Sequence, residues 1–405
     1  MTRFSSYQKR LFVFLSVATF FEGYDFMALS QILPSLQSEM RLGDAELGLM
    51  TATISLGAIA AFGLVRLADR LGRRRILAIT ILGYATLTFL TALARGPLEF
   101  TAYQFTARVF LVAEWAVCIV LAAEEYPAAR RGFVIGVIQG FNALGSITNA
   151  AVVPVLLTTP WGWRTVYLIG VVPLLLLAYA RRNLRETGRF AQLEARRTAP
   201  RGKLLAIFRS PYRNRVLQLA LIWGLTYICT NTAVLFWKQF AVTERGLSNT
   251  EVGAAIAIAT VIALPFAFSV GKLLDAWGRK RAAILIYGVC AVFVVLAFQL
   301  HEFWQLTACL VAAVFSAVAI LTLLNTLTTE LFPTHMRADA FAWANTLLGR
   351  IGYVAGPLLV GVAAGPVGWG NAVSLTALAV VTALILILWL LPETKGLELE
   401  EAAAL

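Results

Sequence analysis

A few charged residues stand inside long apolar stretches of this 405-residue sequence. Glu22 and Asp25 lie three residues apart in the first stretch, and Arg108 and Glu114 lie in the fourth. Residues three apart share one face of a helix. Because two carboxylates this close resist ionising together, one of them can hold a proton. We therefore predict that Glu22, Asp25 and Glu114 carry protons, with Arg108 as their charge partner or as a group that binds a carboxylate.

Structural roles compete with these chemical ones. The two acids of the first stretch could bond to neighbouring helices, Glu114 could serve packing alone, and Arg108 could form an internal salt bridge. A charge inside a bilayer is costly and usually faces a cavity or an opposite charge, which favours a functional role for the acids. A guanidinium fork suits a carboxylate well, so both interpretations of Arg108 stay open.

Uncharged polar residues recur at steps of three and four in several apolar stretches, which is typical of one helix face. Such a stripe faces either a water-filled cavity or a neighbouring helix. We expect these side chains to orient a small polar substrate by hydrogen bonds. The candidate substrate-binding residues are Gln139, Asn142, Asn149, Tyr227, Asn231, Asn325, Asn345 and Tyr353.

Lys238 shares the face of Tyr227 and Asn231 but lies near the end of its apolar stretch. A long lysine side chain near the end of a membrane helix can reach back to water. We therefore favour the prediction that Lys238 extends to the surface over a contact with substrate.

Membrane helices must position all of these residues. Apolar residues make up 59% of the chain and charged residues only 14%, which excludes a soluble enzyme, a disordered chain and a receptor with one membrane anchor. A helix satisfies its own backbone hydrogen bonds in lipid and needs about 20 apolar residues to cross it. We predict an all-α membrane protein with twelve transmembrane helices. The apolar stretches fall near 11–33, 44–65, 76–94, 99–123, 132–157, 164–180, 216–240, 250–271, 282–300, 304–329, 339–364 and 371–391.

The net charge of +12 follows the membrane topology. Of the 34 basic residues, 27 lie at the two termini or in every second loop. This bias predicts that both termini are cytoplasmic in a multi-pass protein of the cell (inner) membrane. It explains the charge with no nucleic acid as partner. Only five basic residues lie in the loops of the other side: Arg41, Arg95, Arg164, Lys238 and Arg245.

Two motifs recur at a spacing of 206 residues, the first at 69–75 and 275–281, the second at 124–131 and 330–337. Two independent motifs at one spacing indicate two related six-helix halves, and transporters built from repeats bind substrate near the midplane. We predict an N-terminal bundle over 1–183 and a C-terminal bundle over 214–405. The linker over 184–213 is basic and is expected to touch anionic lipid.

The D-R-L-G-R-R-R loop at 69–75, with its copy at 275–281, resembles the signature of the major facilitator superfamily. The Gly162-Trp163-Arg164 element also resembles the superfamily signature, and the Pro392–Gly396 ending resembles that of its sugar porter and related branches. Glu22-Gly23-Tyr24-Asp25 resembles the D-G-x-D motif of aromatic acid–proton symporters, and Glu114-Trp115 resembles a G-E-Y element of metabolite–proton symporters. The fourth-span arginine of the family would fall at Gln104, one turn before Arg108.

The resemblance implies a transporter whose two duplicated loops act as gates and latch the cytoplasmic side. A charge network suits a gate because it must break in every cycle. A plain topology signal made of positive charge is the alternative. The gating residues that the resemblance implies are Asp69, Arg70, Gly72, Arg73, Glu124, Arg131, Asp275, Gly278, Arg279, Glu330, Arg337 and Arg350.

The leading hypothesis is proton-coupled symport of a small organic metabolite, a carboxylate, by alternating access. A sugar porter and a drug–proton antiporter are the alternatives within transporters. A membrane enzyme or a transporter-like sensor is less favoured, because the chain has no H-E-x-x-H, G-x-S-x-G or P-loop motif. Two histidines and four dispersed cysteines show no metal-binding pattern. We expect no cofactor, no metal and a monomer.

Overall fold

The computed structural model describes residues 4–126, 128–180, 204–267, 269–333, 336–397 and 401. Within these ranges the side chains at 69–70, 123–124, 128–133, 172–180, 204, 206, 267 and 338 lie outside the description. All regular secondary structure in the described residues is helical.

Six long helices form the first half of the chain. Each coincides with one predicted apolar stretch and extends beyond it by a few residues at one or both ends, because polar residues at helix ends continue the helix outside the apolar core. Their bounds are α1 Ser6–Met40, α2 Asp44–Leu71, α3 Arg73–Ala92, α4 Pro97–Glu125, α5 Ala128–Leu156 and α6 Trp163–Ala180.

The second half contains more breaks than its six apolar stretches predict. A short 3-10 helix at Leu204–Arg209 precedes the first of them. The helices are α7 Arg213–Thr243, α8 Asn249–Ala267, α9 Val270–Trp277, α10 Arg279–Gln299, α11 Phe303–Glu330, α12 Arg337–Phe341, α13 Ile351–Val367, α14 Trp369–Leu375 and α15 Ala377–Leu390.

Two of these breaks have visible local causes. Pro265 lies inside α8 just before the break that separates α8 from α9, and proline removes a helix hydrogen bond. Between α12 and α13 the chain forms a π-helix at Ala342–Gly349. There the N–H of Arg350 bonds the carbonyl of Asn345, five residues back. Short π-helical segments often mark functional positions.

Ten helical segments of the described chain are long and apolar enough to span a membrane. The prediction of an all-α membrane protein is therefore confirmed. The chain divides into two compact units, Met1–Met40 with Thr53–Pro200 and Arg41–Ala52 with Arg201–Leu405.

Close backbone approach of α1 and α5 organises the first unit. A methyl group added to Gly23 would collide with the carbonyl of Asn142, and one added to Gly145 would collide with that of Phe20. The core beside this contact contains Leu15, which is fully buried. Small residues at helix contacts let backbones approach closely, so these glycines place α1 and its acids firmly against α5.

The second unit uses the same device between α7 and α13. A methyl group added to Gly352 would collide with Gly224, and one added to Gly356 would lie 3.0 Å from the carbonyl oxygen of Ile228. The two helices run side by side along these contacts.

The duplicated loop has the same backbone conformation in both copies. Gly72 adopts φ 95° and ψ 147°, and Gly278 adopts φ 90° and ψ 162°. Residues with side chains rarely adopt these angles. Each glycine directly precedes a helix that begins with a buried arginine, Arg73 or Arg279. The repeat read from the motif is thus present in the backbone.

A third element is also duplicated, at the helix ends that lie opposite the duplicated loops. The sequence motifs did not reveal it. In the first unit the indole of Trp163 donates to Glu39 at 2.7 Å. The guanidinium of Arg164 bonds the same carboxylate at 2.5 Å and the carbonyl of Ala94 at 3.1 Å. These residues, which we call the first clip, join the end of α1, the end of α3 and the start of α6.

The second clip is the counterpart of the first in the second unit, 206 residues later. Its hydrogen bonds are supplied by partly different groups. Trp369 and Gly370 donate their backbone N–H groups to the Glu244 carboxylate. Arg245 reaches the carbonyls of Leu300 at 2.7 Å and Gln299 at 3.1 Å. Trp163 and Trp369, and likewise Ala94 and Leu300, are 206 residues apart. The arginine comes from the turn after α7 and not from the helix that begins at Trp369, but it bonds the equivalent carbonyl.

We expect Arg164→Ala to destabilise the first unit and Arg245→Ala the second. Each change removes two charge-assisted hydrogen bonds on partly exposed groups, which together contribute about 1–3 kcal/mol. A loss of that size lowers the unfolding midpoint by about 2–4 °C per kcal/mol.

All four cysteines are free and buried, so the reaction of a thiol-reactive dye during heating measures unfolding. Arg95→Ala, at an exposed arginine of the loop after α3, is the control. Equal midpoints for all three variants would contradict a stabilising role for the clips.

Candidate functional site

Asp25 is enclosed within the first unit by α1, α3 and α6. It is 8% exposed, and neither carboxylate oxygen has a hydrogen-bond partner among the described residues. Gly170 of α6 faces it: a Cβ built at Gly170 would lie 3.4 Å from Oδ1 and 4.0 Å from the Thr88 methyl group. The buried hydroxyl of Tyr167 likewise has no partner in that part of the chain. Sequence reasoning missed Gly170, Thr88 and Tyr167, because no motif or charge near them in the sequence points to these residues.

The other two predicted acids lie in the same region. Glu114 of α4 is 4% exposed, and one of its carboxylate oxygens has no partner within the described chain. Glu22 interacts electrostatically with Glu114 and with Arg108, and its side chain hydrogen-bonds Asn142. The thiol of Cys118 lies one turn after Glu114 and interacts electrostatically with Glu114 and Glu22.

Arg108 completes this group from α4. Its Cζ lies 5.0 Å from the centroid of the Phe26 ring, within cation–π range. A Cβ at Gly57 of α2 would come within 2.9 Å of the Arg108 Cβ, so that glycine makes room for the arginine stem. The guanidinium acts electrostatically on Asp25 and Glu22.

Glu22, Asp25, Arg108 and Glu114 therefore form one group, which we call the acid cluster. The sequence placed these residues in two helices, and the structure brings them together within one unit. An ionised carboxylate without a partner is unfavourable in an apolar interior. Binding a proton removes that charge, so the cluster can do proton chemistry. The roles of the individual residues stay predictions.

The polar stripe of α5 faces α1 over much of its length. The Ser146 hydroxyl donates to the carbonyl of Gly23 at 3.1 Å, and Asn142 bonds Glu22. Gln139 accepts a hydrogen bond from the Trp115 indole at 3.4 Å. Asn149 is fully buried, and its amide has no partner in the described residues. Contact between helices thus explains part of this stripe, while Gln139 and Asn142 stay half-buried.

In the second unit four predicted residues form what we call the polar wall. The Tyr227 hydroxyl donates to the Asn345 side chain at 3.0 Å, and the Asn231 amide donates to the Tyr353 carbonyl at 3.4 Å. The rings of Tyr227 and Tyr353 are 4.5 Å apart. The wall joins α7 to the π-helix and α13. Asn325 of α11 is exposed.

The prediction that Lys238 reaches the surface is wrong. Its side chain is 1% exposed, and its ammonium has no hydrogen-bond partner among the described residues. Helical side chains tilt toward the helix N-terminus, whereas the nearer end of α7 is its C-terminus at Thr243. Reaching that end would run against this tilt, and the neighbouring Trp237 and Phe240 are themselves buried.

The second copy of the duplicated loop carries a network that we call the charge cluster. Arg279 is buried and bonds Glu330 at 2.6 Å and Asp275 at 3.4 Å. Glu330 also accepts a hydrogen bond from the Thr394 hydroxyl at 2.5 Å. Glu393 accepts the backbone N–H of Arg279 at 2.8 Å. The Pro392–Gly396 ending is thereby tied to the start of α10.

The position of Glu393 in this network lowers the pKa of its carboxyl group. Partial burial raises its pKa, but the backbone N–H groups of Lys280, Arg279, Lys395 and Thr394 stabilise the ionised form. The net pKa lies below its ordinary value of 4.5. Free N–H groups at a helix start favour a negative charge, so Glu393 caps α10.

The remaining gating candidates are described only in part. The side chains of Asp69, Arg70, Glu124 and Arg131 lie outside the described residues. Arg73 is 7% exposed. Arg337 bonds the carbonyl of Phe332 at 3.2 Å, and Arg350 follows the π-helix and is half-buried.

Comparison with known proteins places this architecture among membrane transporters. The family model of the Major Facilitator Superfamily matches residues 15–352 and, in a second match, 219–404. A protein of Cupriavidus pinatubonensis named "Probable 4-methylmuconolactone transporter" is 30% identical over 392 residues, covering 94% of this chain and 89% of that protein. The gallate transporter of Pseudomonas putida is 27% identical over 396 residues, covering 88% of this chain and 86% of its own.

Among solved structures, the inward open xylose transporter XylE from E. coli superposes with a TM-score of 0.76. It is 19% identical, and the match covers 97% of this chain and 98% of that one. This similarity shows a shared fold.

We expect Glu393→Gln to lower the unfolding midpoint at pH 7, because the four N–H groups lose their ionised acceptor. A carboxylate whose folded-state pKa is lowered stabilises the fold above pH 4.5, and that contribution disappears as the pH falls through the folded-state value. The difference between variant and wild type should therefore shrink below pH 4.5. Thermal unfolding from pH 7 to the most acidic pH that the detergent tolerates measures it. Glu302→Gln, at an exposed glutamate, should match the wild type throughout, and a Glu393→Gln difference independent of pH would contradict the capping role.

Proposed function

This chain belongs to the major facilitator superfamily as a multi-pass membrane transporter and not an enzyme, and we propose that it carries small organic carboxylates in symport with protons. The single observation that carries the proposal is the acid cluster. Two of its carboxylates, Asp25 and Glu114, are almost fully buried and have oxygens without a partner in the described residues. Ionisable groups inside a membrane protein commonly mark ion pathways and proton relays.

The substrate class is supported by the relatives and by one cation. Gallate, the substrate in the name of the Pseudomonas putida relative, is an aromatic carboxylate. Arg108 lies beside the acids, and a guanidinium can pair with a carboxylate through two parallel hydrogen bonds. Half-buried Gln139 and Asn142 add hydrogen-bonding groups on the neighbouring helix.

We assign the residues of the acid cluster the following order of events. A proton is taken up on Asp25, which lies against Gly170 and Thr88 and whose carboxylate oxygens have no hydrogen-bond partner among the described residues. Glu22 and Glu114 influence each other through their charges, so a proton on one of them eases ionisation of the other. Arg108 then pairs with the substrate carboxylate while the acids hold protons.

Alternating access requires contacts that break in each cycle. The charge cluster is suited to this task, because Asp275 is 77% exposed while Arg279 is 9% exposed, so one partner is open to water. We propose two bundles over 1–183 and 214–405 with a cytoplasmic linker between them. Both termini are then cytoplasmic in the cell membrane, and the working unit is a monomer.

The proposal predicts that Asp25→Asn loses proton coupling. In proteoliposomes, an inward proton gradient should raise the initial rate of gallate uptake by the wild type. The asparagine amide does not ionise and so cannot take up and release a proton in each cycle. Gradient-driven uptake should therefore fall about tenfold or more, while gallate exchange across the membrane without a gradient persists. Radiolabelled gallate and a pH-sensitive dye inside the vesicles measure both fluxes.

Thr88→Val is the matched control, because it lies beside Asp25 but carries no ionisable group. It should retain stimulation by the gradient. Gallate uptake that ignores the gradient in the wild type, or that persists with full stimulation in Asp25→Asn, would overturn proton coupling. Uptake of xylose or of an organic cation in place of acids would favour the sugar-porter or antiporter alternative.

A further inference from the structure

We propose that Lys238 is a carboxylate-binding residue of the second unit, placed to receive an organic acid beside the polar wall. The proposal rests on the proposed function in one respect, namely that the chain handles organic carboxylates. It assigns the contact to a residue that its sequence position predicted to be a surface lysine.

Burial without a partner is the first observation. Lys238 is among the largest side chains that are less than 2% exposed, and its Nζ has no acceptor in the described residues. The indole N–H of the adjacent Trp237 is buried and equally without an acceptor. Two neighbouring donors thus lack an acceptor in one part of α7. Buried cations are normally paired, so an anion would complete this part of the fold.

Three acids of the same unit have other partners. Glu244, the acid that follows Lys238 most closely in the sequence, accepts the backbone N–H groups of Trp369 and Gly370. Glu251 accepts hydrogen bonds from Ser248. Glu330 pairs with Arg279. These three acids are therefore engaged elsewhere, which leaves Lys238 available to an external anion.

The helix geometry places Lys238 next to the polar wall. Seven residues separate Asn231 from Lys238 and eleven separate Tyr227 from it, so all three lie within roughly 20° of one line along α7. Lys238 stands about 10 Å beyond Asn231 on that line. The tilt of helical side chains directs its ammonium back toward Asn231. A carboxylate between them would meet a cation on one side and amide and phenol groups on the other.

A ligand role makes a distinctive prediction about stability. If the ammonium awaits an external anion, Lys238→Met should unfold at the same or a higher temperature than the wild type without ligand, because methionine fills similar space and carries no charge. A lysine that holds the fold together through an internal partner would instead give a variant that unfolds several degrees lower. That second result would overturn the proposal.

Binding is tested with acids and an uncharged relative of one of them. Gallate, benzoate and cis,cis-muconate are the anionic probes, and 3,4,5-trihydroxybenzamide is the neutral one. At least one acid should raise the unfolding midpoint of the purified wild type, with an apparent affinity at least tenfold weaker in Lys238→Met and largely restored in Lys238→Arg. The amide should bind wild type and Lys238→Met equally. Lys272→Met, at an exposed lysine, should respond to the acids as the wild type does.

The outcomes distinguish failure of the Lys238 site from failure of the proposed proton-coupled transport. Equal acid binding by the wild type and Lys238→Met, or no response of the wild type to any of the three acids, overturns the role of Lys238. Acid binding that depends on Lys238 but is accompanied by uptake insensitive to a proton gradient supports the lysine site and overturns proton coupling. Gradient-driven acid uptake with unchanged KM in Lys238→Met retains the proposed function and removes Lys238 from it.

Discussion

A charge enclosed by apolar helices must be neutralised by a partner, a proton or a ligand, and much of this molecule is arranged around that requirement. At helix ends the requirement is met within the protein. Arg279 pairs with Glu330 and Arg164 with Glu39. Within the helices, neither the Asp25 carboxylate nor the Lys238 ammonium has a hydrogen-bond partner among the residues that the structure describes. The contrast separates charges that stabilise the fold from charges that are completed during transport.

Glycines at helix contacts restrict the movement of the helices that carry the enclosed charges. Gly23 brings α1 against the Asn142 backbone, and Gly352 brings α13 against Gly224. Helices in such close contact have little freedom to rotate, because side chains in packed interiors interlock. The face of α1 that carries Asp25 and the face of α7 that carries Lys238 are therefore held in place. Gly170 then leaves space in front of the Asp25 carboxylate where a larger side chain would have filled it.

The duplication shows which features of each half are physically necessary. The loops at Gly72 and Gly278 keep both the glycine conformation and the buried arginine that follows it. The clips keep a glutamate, a tryptophan and a bond to the carbonyl of Ala94 or Leu300, yet the arginine comes from α6 in the first clip and from the turn after α7 in the second. What is retained is the bond to an otherwise unsatisfied carbonyl at a helix end, since such groups need a partner.

The sequence by itself determined the helical class, the spans and the repeat. Apolar length decides whether a segment crosses a bilayer, and the glycine of each duplicated loop decides a local backbone angle, so both can be read from neighbouring residues. The tertiary structure alone decided that Lys238 is buried, that Glu393 caps α10 and that Gly170 faces Asp25. These facts depend on contacts between segments more than 100 residues apart or on the packing of whole helices. Hydrophobic periodicity says which face of a helix is polar, but only packing decides what that face meets.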